Sequence, residues 1–247
     1  MDRQIVGLLC RTSDRAPDGA DGVPGAPTMR ASSSSASSRV PSAGAWEDDL
    51  RDAHGCLLEA GGQVDDAIEA GRVPILLAAE CSIAVSTLPA LVRRHPQARV
   101  LWLDAHADFH TPQTTTSGYL AGMCLAAACG LWDSGFGAGL EPPRVIMHGV
   151  RDVDGPERVA LDLGGVHRVD DATQLEGLEL FVHIDLDVLD PGVFPAQFPV
   201  PGGLLPGELR AFLAQAAGLC TIVGAEITAA APGHGELVVD AITPLLT

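Results

Sequence analysis

Basic side chains and long apolar stretches are both scarce in this sequence of 247 residues. It has 15 Lys and Arg against 32 Asp and Glu, a formal net charge of −17. Nucleic-acid binding needs clustered positive charge to neutralise phosphates, so this balance argues against a nucleic-acid partner. No apolar run approaches the roughly 20 residues that cross a bilayer, and the start, Met1-Asp2-Arg3-Gln4, lacks the pattern of a secretory signal. We therefore expect a cytoplasmic protein that binds no membrane.

The six cysteines form no Cys-x-x-Cys pair and are too sparse for a disulfide scaffold. Most of them lie in apolar or Ala-rich surroundings, which is typical of free cysteines that pack as small apolar side chains. The sequence therefore predicts mainly buried free thiols.

Strand-like runs of Val, Ile and Leu alternate with Ala- and Leu-rich helical stretches, the pattern of βα units around a parallel sheet. We predict strands at Ile5–Leu9, Val73–Ala78, Arg99–Leu103, Val145–Gly149, Leu180–Ile184 and Thr221–Gly224. We predict helices at Glu47–Ala70, Ser82–Arg94, Leu120–Gly130, Pro206–Ala217 and Gly235–Pro244. At this length a single α/β domain, residues 1–247, is sufficient.

The segment from Arg11 to Ala45 differs from the rest because it is rich in Ser, Gly, Pro and Ala. Such a composition predicts a long mobile loop, about residues 11–45. One interpretation is a disordered surface insertion. The other is a lid over the carboxyl edge of the sheet, where ligands bind in open α/β folds. The sequence leaves both open.

Polar side chains collect where the third predicted strand ends, in Leu101-Trp102-Leu103-Asp104-Ala105-His106-Ala107-Asp108. Alternate residues of an extended chain point the same way, so Asp104, His106 and Asp108 are expected to converge at the carboxyl end of the strand. A helix N-cap and a solvated turn would explain one such Asp but explain all three poorly.

A second strand ends in the same manner, with Asp185 and Asp187 following Phe181-Val182-His183-Ile184. Two carboxylates on one face repel each other unless a cation lies between them. An oxygen-rich set of four carboxylates and one imidazole suits Mn²⁺ better than Zn²⁺. Two ions that share carboxylates would hold a hydroxide as nucleophile. The pattern therefore predicts a hydrolase with two divalent metals.

At these motifs the sequence resembles the arginase/agmatinase ureohydrolase family, from about Gly71 to the C-terminus. The matching signatures are Asp-Ala-His-Ala-Asp at 104–108 and Asp-Leu-Asp-Val-Leu-Asp-Pro at 185–191. The resemblance implies an α/β fold, a three-layer α/β/α sandwich around a mainly parallel sheet. It also implies two Mn²⁺ ions that are bridged by Asp104 and Asp185. Asp108 would bind the first ion, and His106 and Asp187 would bind the second.

The sixth ligand departs from the family, which has a Gly-Gly-Asp-His-Ser run whose His binds the first ion. Here the corresponding run is Ala78-Ala79-Glu80-Cys81-Ser82. A thiolate can coordinate a metal, so we expect Cys81 to be the ligand. A thiolate softens the site and leaves Zn²⁺ or Fe²⁺ open beside Mn²⁺. The alternative is a small core residue with the first ion bound weakly or absent.

A second departure lies in Ser117-Gly118-Tyr119-Leu120-Ala121-Gly122-Met123, the frame that carries the proton-shuttling His in arginases. Ala121 takes the place of that His, and losing a general acid typically costs about 10²–10⁴ in rate. Cys81 and Ala121 together resemble the family's hydrolases of Nω-hydroxy-L-arginine in D-cycloserine biosynthesis, which release hydroxyurea and L-ornithine. An N-hydroxyl group lowers the basicity of a guanidine and makes it more electrophilic. That reaction is the expected function; a conventional arginase or agmatinase and a non-catalytic metal-binding relative are the alternatives.

The resemblance also implies contacts to a small guanidino amino acid. Asp108 and Glu226 are the expected catalytic residues, with Glu226 holding the guanidinium. The expected substrate contacts are His110, Ser117, Asp152, Asp154 and Glu226. For the two aspartates, a solvated loop or a pair with Arg151 is an equally open interpretation. The chain stops at Thr247, where family arginases continue with a tail used in trimers, so we expect a monomer.

Overall fold

The protein is described by a computed structural model at residues 2–8, 12 and 45–247. The predicted loop at 11–45 lies outside the described residues, except for Thr12 and Ala45 of the chain. Seven strands form one sheet in the described part of the chain. They are β1 (Arg3–Gly7), β2 (Val73–Leu77), β3 (Arg99–Leu103), β4 (Val145–His148), β5 (His167–Arg168), β6 (Glu179–Asp185) and β7 (Thr221–Thr228).

The strands lie in the order β1-β2-β7-β6-β3-β4-β5, and every neighbouring pair is parallel. All carboxyl ends therefore reach one edge of the sheet, the edge where open α/β folds bind their ligands. The central strands β6 and β3 end next to each other, so residues that follow them are brought together by topology alone.

Helices cover both faces of the sheet, which accounts for strands such as β2 being buried along their whole length. They are α1 (Ala45–Asp52), α2 (His54–Glu69), α3 (Ala84–Arg94), α4 (Cys124–Ala128), α5 (Gly155–Gly164), α6 (Pro206–Leu219) and α7 (Gly235–Leu246). Side chains of α6 and α7 pack in one core cluster, and those of α2, α3 and α4 pack in the clusters of the other face. The predicted α/β fold with helices around a parallel sheet is confirmed.

Two predicted helices differ in the structure. The helix predicted at Glu47–Ala70 is two consecutive helices, α1 and α2, that are separated only by Ala53 (φ −84°, ψ −1°). The helix predicted at Leu120–Gly130 is a 3-10 turn followed by the short α4, because Met123 departs from helical torsions (φ −127°, ψ −4°). The segment after residue 104 therefore approaches the sheet edge as turns.

Helix α5 and the edge strand β5 were not predicted from the sequence. Asp154 caps α5 by accepting from the Glu157 backbone N–H at 2.9 Å, and Gly165 ends the helix in the left-handed region (φ 67°). Both are ordinary helix boundary signals. The prediction that β7 ends at Gly224 was wrong as well, since the strand continues to Thr228.

The cysteine prediction holds for part of the set. Cys81 and Cys124 are buried free thiols, while Cys129 and Cys220 are free but only partly buried. Cys56 is disulfide-bonded, so the expectation of a free thiol was wrong there. It lies at a half-exposed position of α2 rather than in the core. None of the described helices is long and apolar enough to span a bilayer.

Arg151 ties together the backbone that follows β6. Its guanidinium donates to the main-chain carbonyls of Gly149 (3.0 Å), Asp187 (2.9 Å) and Val200 (2.8 Å). Among the described residues it bonds to carbonyl oxygens rather than to Asp152 or Asp154, so the ion pair considered from sequence is wrong. A planar fork with five donors suits this task, because several carbonyls approach from fixed directions.

Replacing Arg151 with lysine tests that role. Arg151→Lys keeps the charge but loses the fork, so we expect the free energy of unfolding to fall by about 1–3 kcal/mol in urea denaturation. Arg168→Lys is the matched control, because this exposed side chain donates to one carbonyl, that of Val150 at 3.3 Å. The control should stay within about 0.5 kcal/mol of the parent. Equal losses in both variants would contradict the proposed role of Arg151.

Candidate metal centre

A cavity of about 290 Å³ opens at the carboxyl edge of the sheet. All six ligands predicted from the sequence line it, namely Cys81, Asp104, His106, Asp108, Asp185 and Asp187. They arrive from the ends of β2, β3 and β6 and from the turns that follow them. The parallel topology therefore brings together residues that are more than 100 positions apart in the chain.

The end of β3 supplies the first part of the cluster. Asp104 is 1% exposed and its Oδ1 accepts from the His106 backbone N–H at 2.7 Å. The ring of His106 places Nδ1 2.9 Å from Asp187 Oδ2 and 3.5 Å from Asp104 Oδ1. Ligand atoms of these three residues lie close enough together to hold one ion.

Asp108 reaches the cavity by a route that simple strand alternation does not describe. Its backbone is in the left-handed region (φ 51°), which is uncommon for a residue other than glycine. The carbonyl of Asp108 accepts from the backbone N–H of Leu125 at 3.2 Å and of Ala126 at 3.4 Å. The turn is therefore held by the start of α4, and the buried carboxylate faces the cavity.

Cys81 begins the 3-10 turn that follows β2 and is 3% exposed. Its Sγ lies 2.8 Å from Asp185 Oδ2, 3.1 Å from Thr228 Oγ1 and 3.9 Å from Asp104 Oδ2. The thiol thus sits against both carboxylates that the family resemblance assigns as bridging ligands. Cys81 belongs to the apolar cluster beneath α3 and α4, and its sulfur faces the candidate carboxylates.

The end of β6 supplies the remaining carboxylates. Asp185 Oδ1 accepts from the Asp187 backbone N–H at 2.7 Å, and Asp187 Oδ1 accepts from the Ala105 backbone N–H at 3.0 Å. These bonds fix the side-chain directions and leave other oxygen lone pairs toward the cavity. The two strand ends are therefore cross-linked through the candidate ligands themselves.

The carboxylates of this cluster are buried close to one another, and this changes their pKa values. Burial raises the pKa values of Asp104 and Asp108, and burial followed by the charge of Asp187 raises the pKa of Asp185 to about 7. Burial opposes the charge on His106, but hydrogen bonds to Asp104 and Asp187 raise its pKa to about 12.

The donor set fits divalent cations. Four buried carboxylates face one imidazole and one thiol, and a single protonated histidine offsets only part of their charge. Carboxylate and imidazole donors suit Mn²⁺, while the thiol also suits softer ions such as Zn²⁺. One candidate group contains Asp104, His106 and Asp187, and a second contains Cys81 and Asp104.

The structure brings four of the five expected substrate contacts to the cavity. His110, Ser117, Asp152 and Asp154 line the cavity. The backbone N–H of Asp152 donates to the Ala105 carbonyl at 3.0 Å, which holds this exposed residue beside the candidate ligands. The solvated-loop interpretation of the two aspartates is therefore incomplete, because both belong to the wall of the cavity.

Glu226 is not among the described residues that line the cavity, and its contact with a guanidinium stays a prediction. It is fully buried within β7, because that strand continues to Thr228. Its Oε2 accepts from Thr87 Oγ1 at 2.6 Å, and its Oε1 lies 2.7 Å from His183 Nδ1. Glu226 therefore lies behind the metal cluster, where it contacts His183.

Further residues of the cavity wall were missed from sequence. Glu157, from the first turn of α5, is 7% exposed, and its Oε1 accepts from the Phe109 backbone N–H at 3.0 Å. The hydroxyl of Tyr119 donates to Glu80, which also lines the cavity. The one signal that could have identified Glu157 was its place three residues after the cap Asp154, in a helix that was not predicted.

The mouth of the cavity combines small and aromatic side chains. Ala121 lines it and is 6% exposed. Phe198 lies with its ring centroid 5.4 Å from that of Tyr119 and 6.4 Å from that of His106. No imidazole occupies position 121, so the described part of the wall presents a methyl group at the place where the family pattern has a proton donor.

Comparison with known proteins agrees with this geometry. The pattern of the arginase family matches residues 30–237. The chain is 38% identical over 210 residues to the Nω-hydroxy-L-arginine amidinohydrolase of Streptomyces lavendulae, covering 81% of this chain and 77% of that protein. It is 30% identical over 193 residues to the arginase of Bacillus caldovelox, covering 68% and 64%. The crystal structure of arginase from Bacillus subtilis matches with a TM-score of 0.72 at 26% identity, over 80% of each chain. The chain belongs to the arginase family, as its two aspartate-rich motifs predicted.

Proposed function

We propose that this protein hydrolyses Nω-hydroxy-L-arginine to hydroxyurea and L-ornithine, with two divalent cations bound in the cavity. The observation that carries the proposal is the pairing of a complete cluster of acidic ligands with Ala121 at the position of the family's proton shuttle. The 38% identity to an amidinohydrolase of that substrate supports it. A hydroxylated guanidine is less basic, so its hydrolysis depends less on a protein imidazole.

The proposed ligands are divided between the two ions as the family resemblance implies. Cys81 and Asp108 would hold the first ion, His106 and Asp187 would hold the second, and Asp104 and Asp185 would serve both. Two such ions, when bound, supply a nucleophile at neutral pH by lowering the pKa of a shared water. We propose Mn²⁺ for the oxygen-rich second site, because carboxylate donors favour hard ions.

The reaction is hydrolysis of the bond between the guanidino carbon and Nε of the substrate. The oxygen of water joins the carbon, the carbon–Nε bond breaks, and a proton reaches that nitrogen, which leaves as the side-chain amine of ornithine. Asp108 is the proposed carrier of that proton, because its buried carboxylate faces the cavity from the turn after β3. For Glu226 we propose an indirect role, because its carboxylate contacts Thr87 and His183 rather than the cavity.

The acidic wall of the cavity is the proposed site for the α-ammonium group of the substrate. Asp154 Oδ2 lies 3.5 Å from His110 Nε2, and Glu157 Oε2 lies 3.6 Å from the same atom. Asp152 pairs with His106 in an isolated β-bridge and also lines the cavity. Ser117, an exposed residue of the cavity lining, is the proposed contact for the α-carboxylate. Acceptors gathered on one side favour an amino acid over a simple guanidine.

The class of partner, the oligomeric state and the cellular location are proposed from the sequence alone. The charge of −17 supports a small-molecule substrate rather than a nucleic acid. A monomer in the cytoplasm remains our expectation.

A direct substrate comparison tests the function. With Mn²⁺-loaded protein, kcat/KM for Nω-hydroxy-L-arginine should exceed that for L-arginine or agmatine by about 10² or more, because only the hydroxylated guanidine reacts well without a protein general acid. Ornithine or putrescine release is the readout, with hydroxyurea measured separately. Comparable values for L-arginine and its hydroxy derivative would refute the proposal and support a conventional ureohydrolase.

Restoring an imidazole at the cavity mouth tests the reason for that preference. Ala121→His should raise kcat/KM for L-arginine about tenfold or more, while the value for the hydroxylated substrate changes little, because the variant supplies a general acid. Ala121→Gln is the matched control, since it adds comparable volume without a group that titrates near neutral pH. If both variants changed L-arginine turnover alike, volume and not proton donation would be responsible.

The rise in Tm that Mn²⁺ produces should depend on pH. The folded, metal-free protein raises the pKa of Asp185 to about 7, so between about pH 4 and 7 it keeps a proton that the unfolded chain has released. Stability from this group is therefore lost as pH rises through that range. Mn²⁺ takes the place of such protons, so its effect on Tm should be larger near about pH 8 than near about pH 5.5.

Thermal unfolding in EDTA and in Mn²⁺ at both pH values measures this effect. Asp185→Asn should remove most of the Mn²⁺-induced rise in Tm. Asp162→Asn, a change at an exposed position of α5, should leave it intact. A Mn²⁺ effect that is the same at both pH values would contradict the proposed displacement of protons.

A further inference from the structure

His183 occupies a row of side chains directly beneath the metal cluster. In the sheet register, Trp102 on β3 pairs with His183 on β6, which pairs with Glu226 on β7. His183 precedes Asp185 by two residues and therefore points to the same face of the strand. The row below the candidate ligands is thus a fully buried aromatic, imidazole and carboxylate.

The imidazole of His183 is held on two sides. Its ring stacks on Trp102 with centroids 3.5 Å apart and planes 3° from parallel. Its Nδ1 lies 2.7 Å from Glu226 Oε1, and Glu226 is itself fixed by Thr87. A carboxylate on one ring nitrogen is the usual partner of a histidine whose other nitrogen binds a metal, because it sets the tautomer and the ring direction.

The other ring nitrogen points to the metal cluster. His183 Nε2 lies 3.3 Å from Cys81 Sγ, and donor atoms of Cys81, Asp104 and His183 all lie within 4.8 Å of one another. Metal bonds of ~2.3 Å to sulfur and ~2.0 Å to nitrogen at a tetrahedral angle place the two donors about 3.5 Å apart. The observed separation suits two donors of one ion.

We propose that His183 binds the first ion through Nε2, beside Cys81 and Asp104, and that Glu226 orients it. This inference rests on the proposed metal-dependent function, because it concerns the same centre. Cys81 stands where the family has a ligand histidine. In this arrangement His183 of β6 supplies an imidazole to the same ion. The arrangement also gives Glu226 a function at its buried position, as the partner of a ligand rather than as a substrate contact.

Counting coordinated imidazoles in the Co²⁺-loaded, full-length protein tests the proposal. Proton NMR in water resolves the strongly shifted ring N–H signals of histidines bound to Co²⁺. We expect two coordinated imidazoles, from His106 and His183, with the N–H that faces Glu226 in slow exchange because the pair is fully buried. His183→Gln should lose the slowly exchanging signal and weaken Co²⁺ binding about 10- to 100-fold.

The charge-transfer absorption band from the Cys81 thiolate to Co²⁺ should persist in His183→Gln. Its persistence would show that the variant has lost one ligand and not the whole metal site. His148→Gln is the matched control. This strand histidine stacks on Phe212 and places Nδ1 2.9 Å from the Val169 carbonyl. Both imidazole signals should remain in that variant.

Three results would overturn the inference. Two ions and a thiolate band with a single coordinated imidazole in the parent protein would make His183 a hydrogen-bond partner of Cys81 and leave the proposed function intact. Retention of both imidazole signals in His183→Gln would also exclude it. Failure of the parent protein to bind any Co²⁺, Mn²⁺ or Zn²⁺ would remove the proposed function together with the inference. If His183→Gln does not fold, the count in the parent protein decides alone.

Discussion

Repulsion among buried carboxylates is the constraint around which this end of the molecule is organised. Asp104, Asp108, Asp185 and Asp187 are packed where little water reaches them, and among the described residues His106 is their one ion-pair partner. Backbone N–H groups and Arg151-bound carbonyls hold these acids in place at the edge of a parallel sheet. A scaffold that keeps such groups together favours cations, because the alternative is to protonate them.

The motifs predicted most of this centre because strand ends are strong local signals. Asp104 and His106 follow a buried run at alternate positions, and Asp185 and Asp187 do the same. Asp108 was assigned correctly to the cavity for an incomplete reason, since a left-handed backbone and not strand alternation directs it there. The short polar motifs predict which residues come together at the sheet edge. The backbone torsions that direct the Asp108 side chain to the cavity depend on packing against α4.

The sequence did not predict where several residues of the centre lie. Their positions depend on the register between neighbouring strands or on helices that no local pattern indicated. Glu226 was expected to follow its strand, but Ile227 and Thr228 continue β7 and leave the carboxylate inside the sheet. His183 is fully buried within β6. Its proximity to Cys81 follows only from the order of β2, β7 and β6, which sequence periodicity does not determine. Glu157 was missed because its helix was missed.

The loop between Asp190 and Val200 is tied at both ends. The two oxygens of the Asp190 carboxylate accept from the backbone N–H groups of Gly192 and Gly202, and Arg151 holds the carbonyl of Val200. Between these anchors the segment contributes Phe198 to the cavity mouth without supplying a candidate ligand. Variation in that segment can therefore alter which substrates enter while the chemical centre is inherited unchanged, so selectivity and reactivity can evolve separately in this fold.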